Sequence, residues 1–457
     1  MGKSDTDDAA DPLDPEIVPA LDIGVAIVPP LEGGVFGLWR RYRRLSRNIF
    51  AISLVSLLND VSSEIVYPLL PFFLNNTLGV SPRVLGTIEG AAESVSSLLK
   101  LFAGHFSDRL GKRKIFVVSG YVLSSFARPL LAFATNWPQV LAIRLSDRIG
   151  KGVRTAPRDA MIADNVAVQE RGLAFGLHRA MDHAGAVLGP LIGYLLVLMF
   201  AADSNALVAR DFTSIFLLAS IPALAAVFVV SFFVRESHKL KRVKDSVRDA
   251  TSDTATDSDA LPLHLSLRGF DGNFKCFLLI IGLFTLSNSS DFFLLLRARD
   301  AGVSVLSTTL LWAALHASKV LSSIFGGDLS DRLGRKRLIV SGWILYAAVY
   351  AGFAFVSNQV SAWILFLIYG IYFGLAEGAE KALVADLVRP EQRGTAYGLY
   401  NLAFGITVLP ASLLMGTLWD WRGAKTAFLV SAILGATGAL LLLVLVKPRG
   451  YAQALES

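Results

Sequence analysis

The chain has 457 residues, of which 53% are hydrophobic and only 18% charged, and its mean hydropathy is +0.54. That is too apolar for an ordinary soluble protein of this length. Its 43 Lys and Arg outnumber its 37 Asp and Glu, but the positives gather in short loops between apolar runs, which speaks for a membrane protein and against a nucleic-acid partner.

In chain order, residues 1–32 are acidic and then proline-punctuated, without a signal-peptide layout, and read as a disordered cytoplasmic tail. The stretch Trp39-Arg40-Arg41-Tyr42-Arg43-Arg44, with Arg47, fits a short interfacial helix on the anionic inner leaflet. Apolar runs of membrane-spanning length then predict about twelve helices. They fall near 48–74, 83–106, 115–135, 137–163, 172–201 and 212–234, and again near 273–297, 304–327, 338–357, 361–386, 394–418 and 424–446. Between the sets lies a polar linker from Glu236 to Arg268. The expected division is a tail 1–47, a helical bundle 48–235, a linker 236–272, a second bundle 273–446 and a tail 447–457. The fold class is all-α membrane protein. Cys276 is the only cysteine, which excludes an intrachain disulfide and a cysteine metal cluster. The scattered His and Met give no metal-ligand set, and no cofactor is expected.

Orientation follows from the loops. The N-terminal arginines, the linker, Arg389, Arg393, Lys447 and Arg449 fall on one side with most of the positive charge. Arg297, Arg299, Arg422 and Lys425 are exceptions on the other. Both termini are therefore expected in the cytoplasm, with the chain in the cell's inner or plasma membrane.

One stretch occurs twice. Gly104-His-Phe-Ser-Asp108-Arg109-Leu-Gly111-Lys112-Arg113-Lys114 returns as Gly327-Asp-Leu-Ser-Asp331-Arg332-Leu-Gly334-Arg335-Lys336-Arg337, 223 positions later. The same offset lays Gly79-Val-Ser81 on Gly302-Val-Ser304. A half-chain repeat in a membrane protein marks a transporter built from two related bundles. The doubled pattern resembles the signature loop of the major facilitator superfamily, over about residues 47 to 446. The resemblance implies two pseudo-symmetric six-helix bundles, alternating access and transport of a small solute, with the loops latching the bundles in one state. Gly104 and Gly327 would let helices approach closely. Gly111 and Gly334 would permit a turn that a Cβ resists. Asp108 and Asp331 would meet an Arg or the positive end of a neighbouring helix.

Charge inside the spans carries the functional reading, because each such group costs several kcal/mol unless it meets a partner or water. Asn59, Asp60, Ser63 and Glu64 lie within one turn of the first span. Glu89, Glu93, Ser96 and Lys100 form a continuous stripe on the second. Arg128 is in the third, Arg144, Asp147, Arg148, Lys151, Arg154, Arg158 and Asp159 in the fourth, and His178, Arg179, Asp182 and His183 in the fifth. The second bundle keeps Asn288 and Asp291 in the seventh span, His316 and Lys319 in the eighth, and Glu377, Glu380 and Lys381 in the tenth. At the repeat offset Glu89 becomes Trp312 and Glu93 becomes His316. Proton coupling and charge recognition are therefore expected mainly in the first bundle, against a more apolar second wall.

Two further pieces resemble the family. Gly185-x-x-x-Gly189-Pro190-x-x-Gly193 is similar to the fifth-helix motif of proton-linked exporters; its glycines make a packing seam and Pro190 a bend. Arg144, six residues before Gly150, partly matches the fourth-helix motif, but Arg148 stands where its first glycine is expected. The fourth span is expected to leave the membrane near 152–157.

A proton carrier must release and rebind a proton near neutral pH. Asp60 and Glu64 are the leading candidates, with Glu89 or Glu93 sharing the proton or touching substrate, and Asp182 and His183 forming a gate with Arg179. Carboxylates argue for a cationic or metal-bearing solute, arginines for an anionic one. The expected function is proton-coupled efflux by antiport; the alternative is proton-coupled uptake of a small organic or metal-bearing solute. The chain carries no phosphate-binding Gly-x-x-x-x-Gly-Lys-Ser/Thr loop of an ATP-driven pump, and no nucleophile constellation marks an enzyme. The expected partners are the lipid bilayer, protons and a small-molecule or ion substrate, handled by a monomer.

Overall fold

A computed structural model of the chain describes residues 45–110, 112–166, 171–201, 207–236, 267, 269–389 and 392–447. The expected tails, the interfacial helix at 39–44, Gly111 and nearly all of the linker lie outside them. The helices of the first bundle are α1 (Arg47–Val66), α2 (Pro82–Leu110), α3 (Arg113–Ala127), α4 (Trp137–Asp164), α5 (Arg171–Phe200) and α6 (Ala209–Phe232). Those of the second are α7, in two pieces (Gly272–Ser287 and Phe292–Asp300), α8 (Val305–Leu333), α9 (Arg335–Phe355), α10 (Gln359–Leu387), α11 (Arg393–Arg422) and α12 (Ala424–Leu445). Among the described residues, nine helices are long and apolar enough to cross a membrane. Charge-laden α2 and α4, and α8 with His316 and Lys319, fall outside that measure.

Most ends fall within a few residues of the apolar runs, because the same turn chemistry sets both. Asn136 caps α4 by accepting from the Gln139 amide at 3.1 Å, and Asn358, at nearly the repeat offset, caps α10 through the Ser361 amide at 2.9 Å. Gly79 and Gly302, one repeat apart, both take positive φ, 61° and 91°, before α2 and α8. Gly334 does the same between α8 and α9, at φ 85°.

One sequence expectation needs correction. The seventh span is not continuous; it breaks between Ser287 and Phe292, where Asn288 and Asp291 sit. The fourth helix has the length of its run, passing through Pro157 to Asp164, and two of its late arginines turn into the bundle. Arg154 donates to Ser124 Oγ at 2.7 Å and Arg158 to Ser56 Oγ at 3.2 Å. Those inward partners explain why so polar a stretch stays packed.

The repeat is also a packing repeat. α1 packs on α5 and α6, α2 on α4, and α3 on α4 and α6; α7 packs on α11 and α12, α8 on α10, and α9 on α10 and α12. The bundles meet along α2 with α11 and α5 with α8, two contacts that the repeat interchanges. One face of the molecule, here the terminal face, carries the start of α1 and the end of α12; there Asn48 donates to the Arg235 carbonyl and Asn273 to that of Lys447. At the opposite, far face the Arg83 amide donates to Asp420 at 3.2 Å, and Arg299 donates to Asn76, across the two bundles.

Glycines set the closest approaches. On α5, a Cβ at Gly185 would lie 2.8 Å from the Leu57 carbonyl, and one at Gly189 would lie 2.7 Å from Glu64 Cβ and 2.8 Å from the Val61 carbonyl. At Gly193 the nearest atom is an ordinary 3.5 Å away. Gly189→Ala should therefore lower the thermal unfolding midpoint in detergent, at a cost of about 1–3 kcal/mol from overpacking, whereas Gly193→Ala should not. Equal midpoints for the two variants would contradict the tight α1–α5 seam.

Candidate functional site

Between the bundles lies a cavity of about 790 Å³. It extends toward the terminal face, where Lys100, Asp159, Phe175 and Lys381 line it. Asn59, Asp60, Glu64, Glu89, Glu93, Arg128, Arg144, Arg179, Asp182, Asn288 and Asp291 all line it as well. His183 is not among the lining residues; His178, one turn before Asp182, is.

Arg128, Asp147, Arg144, Glu89, Arg148 and Glu93 of the first bundle form one connected network. Arg128 donates to the Asn59 backbone carbonyl at 3.0 Å and to its side-chain oxygen at 2.9 Å. The Asn59 amide in turn donates to Asp60 at 3.0 Å. Arg128 also pairs with Asp147 at 3.2 Å, and Asp147 lies 3.6 Å from Arg144. Arg144 clamps both oxygens of Glu89, at 2.8 and 2.6 Å, and Arg148 reaches the same carboxylate at 3.1 Å. Arg148 ends the chain 3.6 Å from Glu93. Helix spacing builds this array: Arg144, Asp147, Arg148 and Lys151 share one face of α4, opposite the Glu89 and Glu93 stripe of α2. Glu89, with its side chain 6% exposed and two guanidiniums on it, is held as a structural anion. Glu93 is 26% exposed and only loosely paired.

Asp60 and Glu64 sit differently. Asp60 has the Asn59 amide as its partner and no cation within ion-pair distance among the described residues. Glu64 faces the other bundle. Its Oε2 accepts from the Trp312 indole at 2.7 Å and lies 3.8 Å from His316 Nε2, both on α8. Tyr67, one turn beyond Glu64, stacks on Trp312 with ring centroids 4.9 Å apart. Asp182 pairs with His178 at 3.6 Å, not with His183 or Arg179. On the second bundle Asp291 accepts from Tyr369 at 2.8 Å and lies 3.9 Å from Lys319, whose ammonium stands 3.7 Å over the Phe373 ring. Asn288, in the same break of α7, contacts Tyr372 at 3.5 Å.

Trp312, His316 and Lys319 therefore belong to the site, although the sequence reading weighed Trp312 only as an apolar replacement. The repeat held the signal: these three occupy the offset positions of Glu89, Glu93 and Ser96, and so form the matching stripe of α8. Other candidate residues lie elsewhere. Gly104 packs 3.3 Å (as a Cβ) from Ala156 of α4. Asp108, Arg109, Gly327, Asp331 and Arg332 fall in the terminal-face ends of α2 and α8. Lys112 is exposed before α3, and Arg335 donates to the Ala382 carbonyl at 2.9 Å and pairs with Asp386. Pro190 is inside α5, beside the glycine seam. Among the described residues no group of three or more His, Cys, Asp or Glu is placed to hold a metal ion.

A family model described as Major Facilitator Superfamily matches residues 52–408 and 378–456. An uncharacterized MFS-type transporter of Methanocaldococcus jannaschii is 34% identical over 407 residues, spanning 88% of this chain and 95% of that one. The multidrug resistance protein MdtH of Cronobacter sakazakii is 26% identical, over 82% and 87% of the two chains. In fold, the chain resembles the crystal structure of a bacterial homolog of the lysosomal transporter Spinster, with a TM-score of 0.68 at 15% identity, covering 87% of this chain and 95% of that one.

Removing one partner from a buried ion network costs on the order of 3–5 kcal/mol, because the charges left behind lose their solvation. Glu89→Gln should therefore lower the unfolding midpoint in detergent clearly. Glu93→Gln, more exposed and loosely paired, should stay close to wild type. The reverse order would contradict the structural role given to Glu89.

Proposed function

The chain belongs to the major facilitator superfamily, and from that premise we propose that it exports a small solute by alternating access, in exchange for protons. The observation that carries this reading is the position of Glu64. Its Oε2 is a site where a proton can bind and is also the acceptor that ties α1 to α8 across the bundles. Protonation removes the charge that strengthens this contact between the bundles, so proton binding and the contact are coupled, which is what a coupling device needs. Asp60 stands one turn away at the end of the Arg128 network, where a change of its charge is felt through Asn59. The outward direction is supported by the similarity to a relative named for multidrug resistance and by the glycine–proline seam of α5.

With the terminal face placed in the cytoplasm by its basic loops, the cavity opens inward and the far-face contacts close the outside. The doubled loops around Asp108 and Asp331 then serve as latches for the opposite state. The chain works as a monomer in the inner or plasma membrane, with each bundle, 48–235 and 273–446, moving as a unit about the linker.

The test uses reconstituted vesicles with an imposed pH gradient and a solute panel. Glu64→Gln should abolish uphill transport while leaving solute-for-solute exchange, and Asp60→Asn should weaken coupling in the same sense. Gradient-driven transport at the wild-type rate by both variants would place the proton elsewhere. Accumulation with the gradient, instead of expulsion against it, would reverse the direction to uptake by symport.

A further inference from the structure

The wall of the cavity formed by α2 and α4 has more cationic donors than acceptors. Lys100, Arg148 and Lys151 all line the cavity; Lys100 lies two turns beyond Glu93 on the α2 stripe, and Lys151 follows Arg148 by three residues on α4. Arg148 also reaches Glu89, but both oxygens of that carboxylate are already held by Arg144. Arg144 and Arg148 are only 6% and 9% exposed, yet the Nε of each makes no hydrogen bond, that of Arg148 having Glu93 Oε2 beside it only at 3.6 Å. Neither lysine has a side-chain acceptor among the described residues. A buried donor without an acceptor is costly, so the arrangement calls for an acceptor-rich anion. Three cations against one loosely paired carboxylate leave two positive charges in excess.

Elsewhere in the cavity Asp60 and Glu64 each accept from a neutral donor. Asp182 lies beside His178 with its Oδ1 unpartnered, but it belongs to α5 and not to the α2–α4 wall. The rings of Trp312 and Phe404 also line the cavity, with Phe175 toward the terminal face. The cavity volume is that of a site for a drug-sized molecule.

We propose that this wall binds the doubly charged head of an organic phosphonate or phosphate, held by Lys100, Arg148 and Lys151, with the organic part against Trp312 and Phe404. Glu93 is the resident stand-in: it holds the place beside Arg148 that the head group takes. Arg148, at the position where the fourth-helix motif has glycine, is then the residue that makes the site selective. The inference rests on the transport reading, because it names the cargo of that same cavity.

Equilibrium binding to the purified full-length protein in detergent tests it without any gradient. Titration calorimetry would use phenylphosphonate, inorganic phosphate, benzoate and benzyltrimethylammonium, in a mildly alkaline chloride buffer free of phosphate and sulfate. Phenylphosphonate should bind about tenfold or more tighter than benzoate or inorganic phosphate, and the quaternary ammonium should not bind. Lys100→Gln with Lys151→Gln should weaken phenylphosphonate about tenfold or more, and Glu93→Gln should tighten it, a gain that misfolding cannot produce. No binding of phenylphosphonate, preference for the cation, or unchanged affinity in the double lysine variant would each overturn the site. Equal affinity for inorganic phosphate would overturn the organic part of the assignment. Tight phenylphosphonate binding by a protein that transports nothing in the vesicle assay would sink the transport reading and leave the site standing.

Discussion

A charge inside a bilayer must have a partner, and Glu89, a buried carboxylate of the central cavity, has two. The clamp of Arg144 and Arg148 on it joins α2 to α4. Through Asp147 and Arg128 the same network reaches the backbone of α1 at Asn59. Three helices of the first bundle and the start of the turn after α3 are thus fixed by ion pairs that only close packing permits. The glycines serve that packing: a Cβ at Gly150 would fall 2.5 Å from the Gly120 carbonyl, and one at Gly152 would fall 2.7 Å from Leu99.

The second bundle is held differently. Its centre is aromatic, with Phe284 stacked on Trp343 at 4.0 Å and Tyr346 on Tyr350 at 4.2 Å. Its buried carboxylate, Glu380, accepts from Trp343 and Tyr400 at 2.8 Å each and has no cation in ion-pair contact among the described residues. One bundle is therefore rigid through charge and the other through packed rings. The contact between them at Glu64 is a single carboxylate against an indole and an imidazole. Beside the α2–α11 and α5–α8 packing, this contact puts a titratable group between the two bundles.

Much of this was legible in the sequence. The doubled signature loops and the apolar runs located the helices and the repeat, because turn chemistry and hydrophobic length are local properties. The charges of the first bundle stand out as the candidate site for the same reason: a buried charge is conspicuous in an apolar run. What the sequence could not reveal was who pairs with whom. Glu89 and Glu93 look equivalent on their stripe, and only the approach of α4 makes one a clamped anion and the other a loose one. Asp182 has histidines at positions 178 and 183 within reach in sequence, and helical geometry selects His178. The break at Asn288–Asp291 escaped notice because its flanks are as apolar as any span.

In the proposed mechanism Glu64 ties the two bundles together at the central cavity, with its protonation state setting the balance between the two open forms. Distances between spin labels test this directly. In a background with Cys276 replaced, one pair would report the far face, at Ser81 and Trp421, and another the terminal face, at Lys112 and Arg337, all four exposed. Glu64→Gln should lengthen the far-face distance and shorten the terminal-face one, shifting the population toward the outward-open form. Distance distributions unchanged from wild type on both faces would contradict the account.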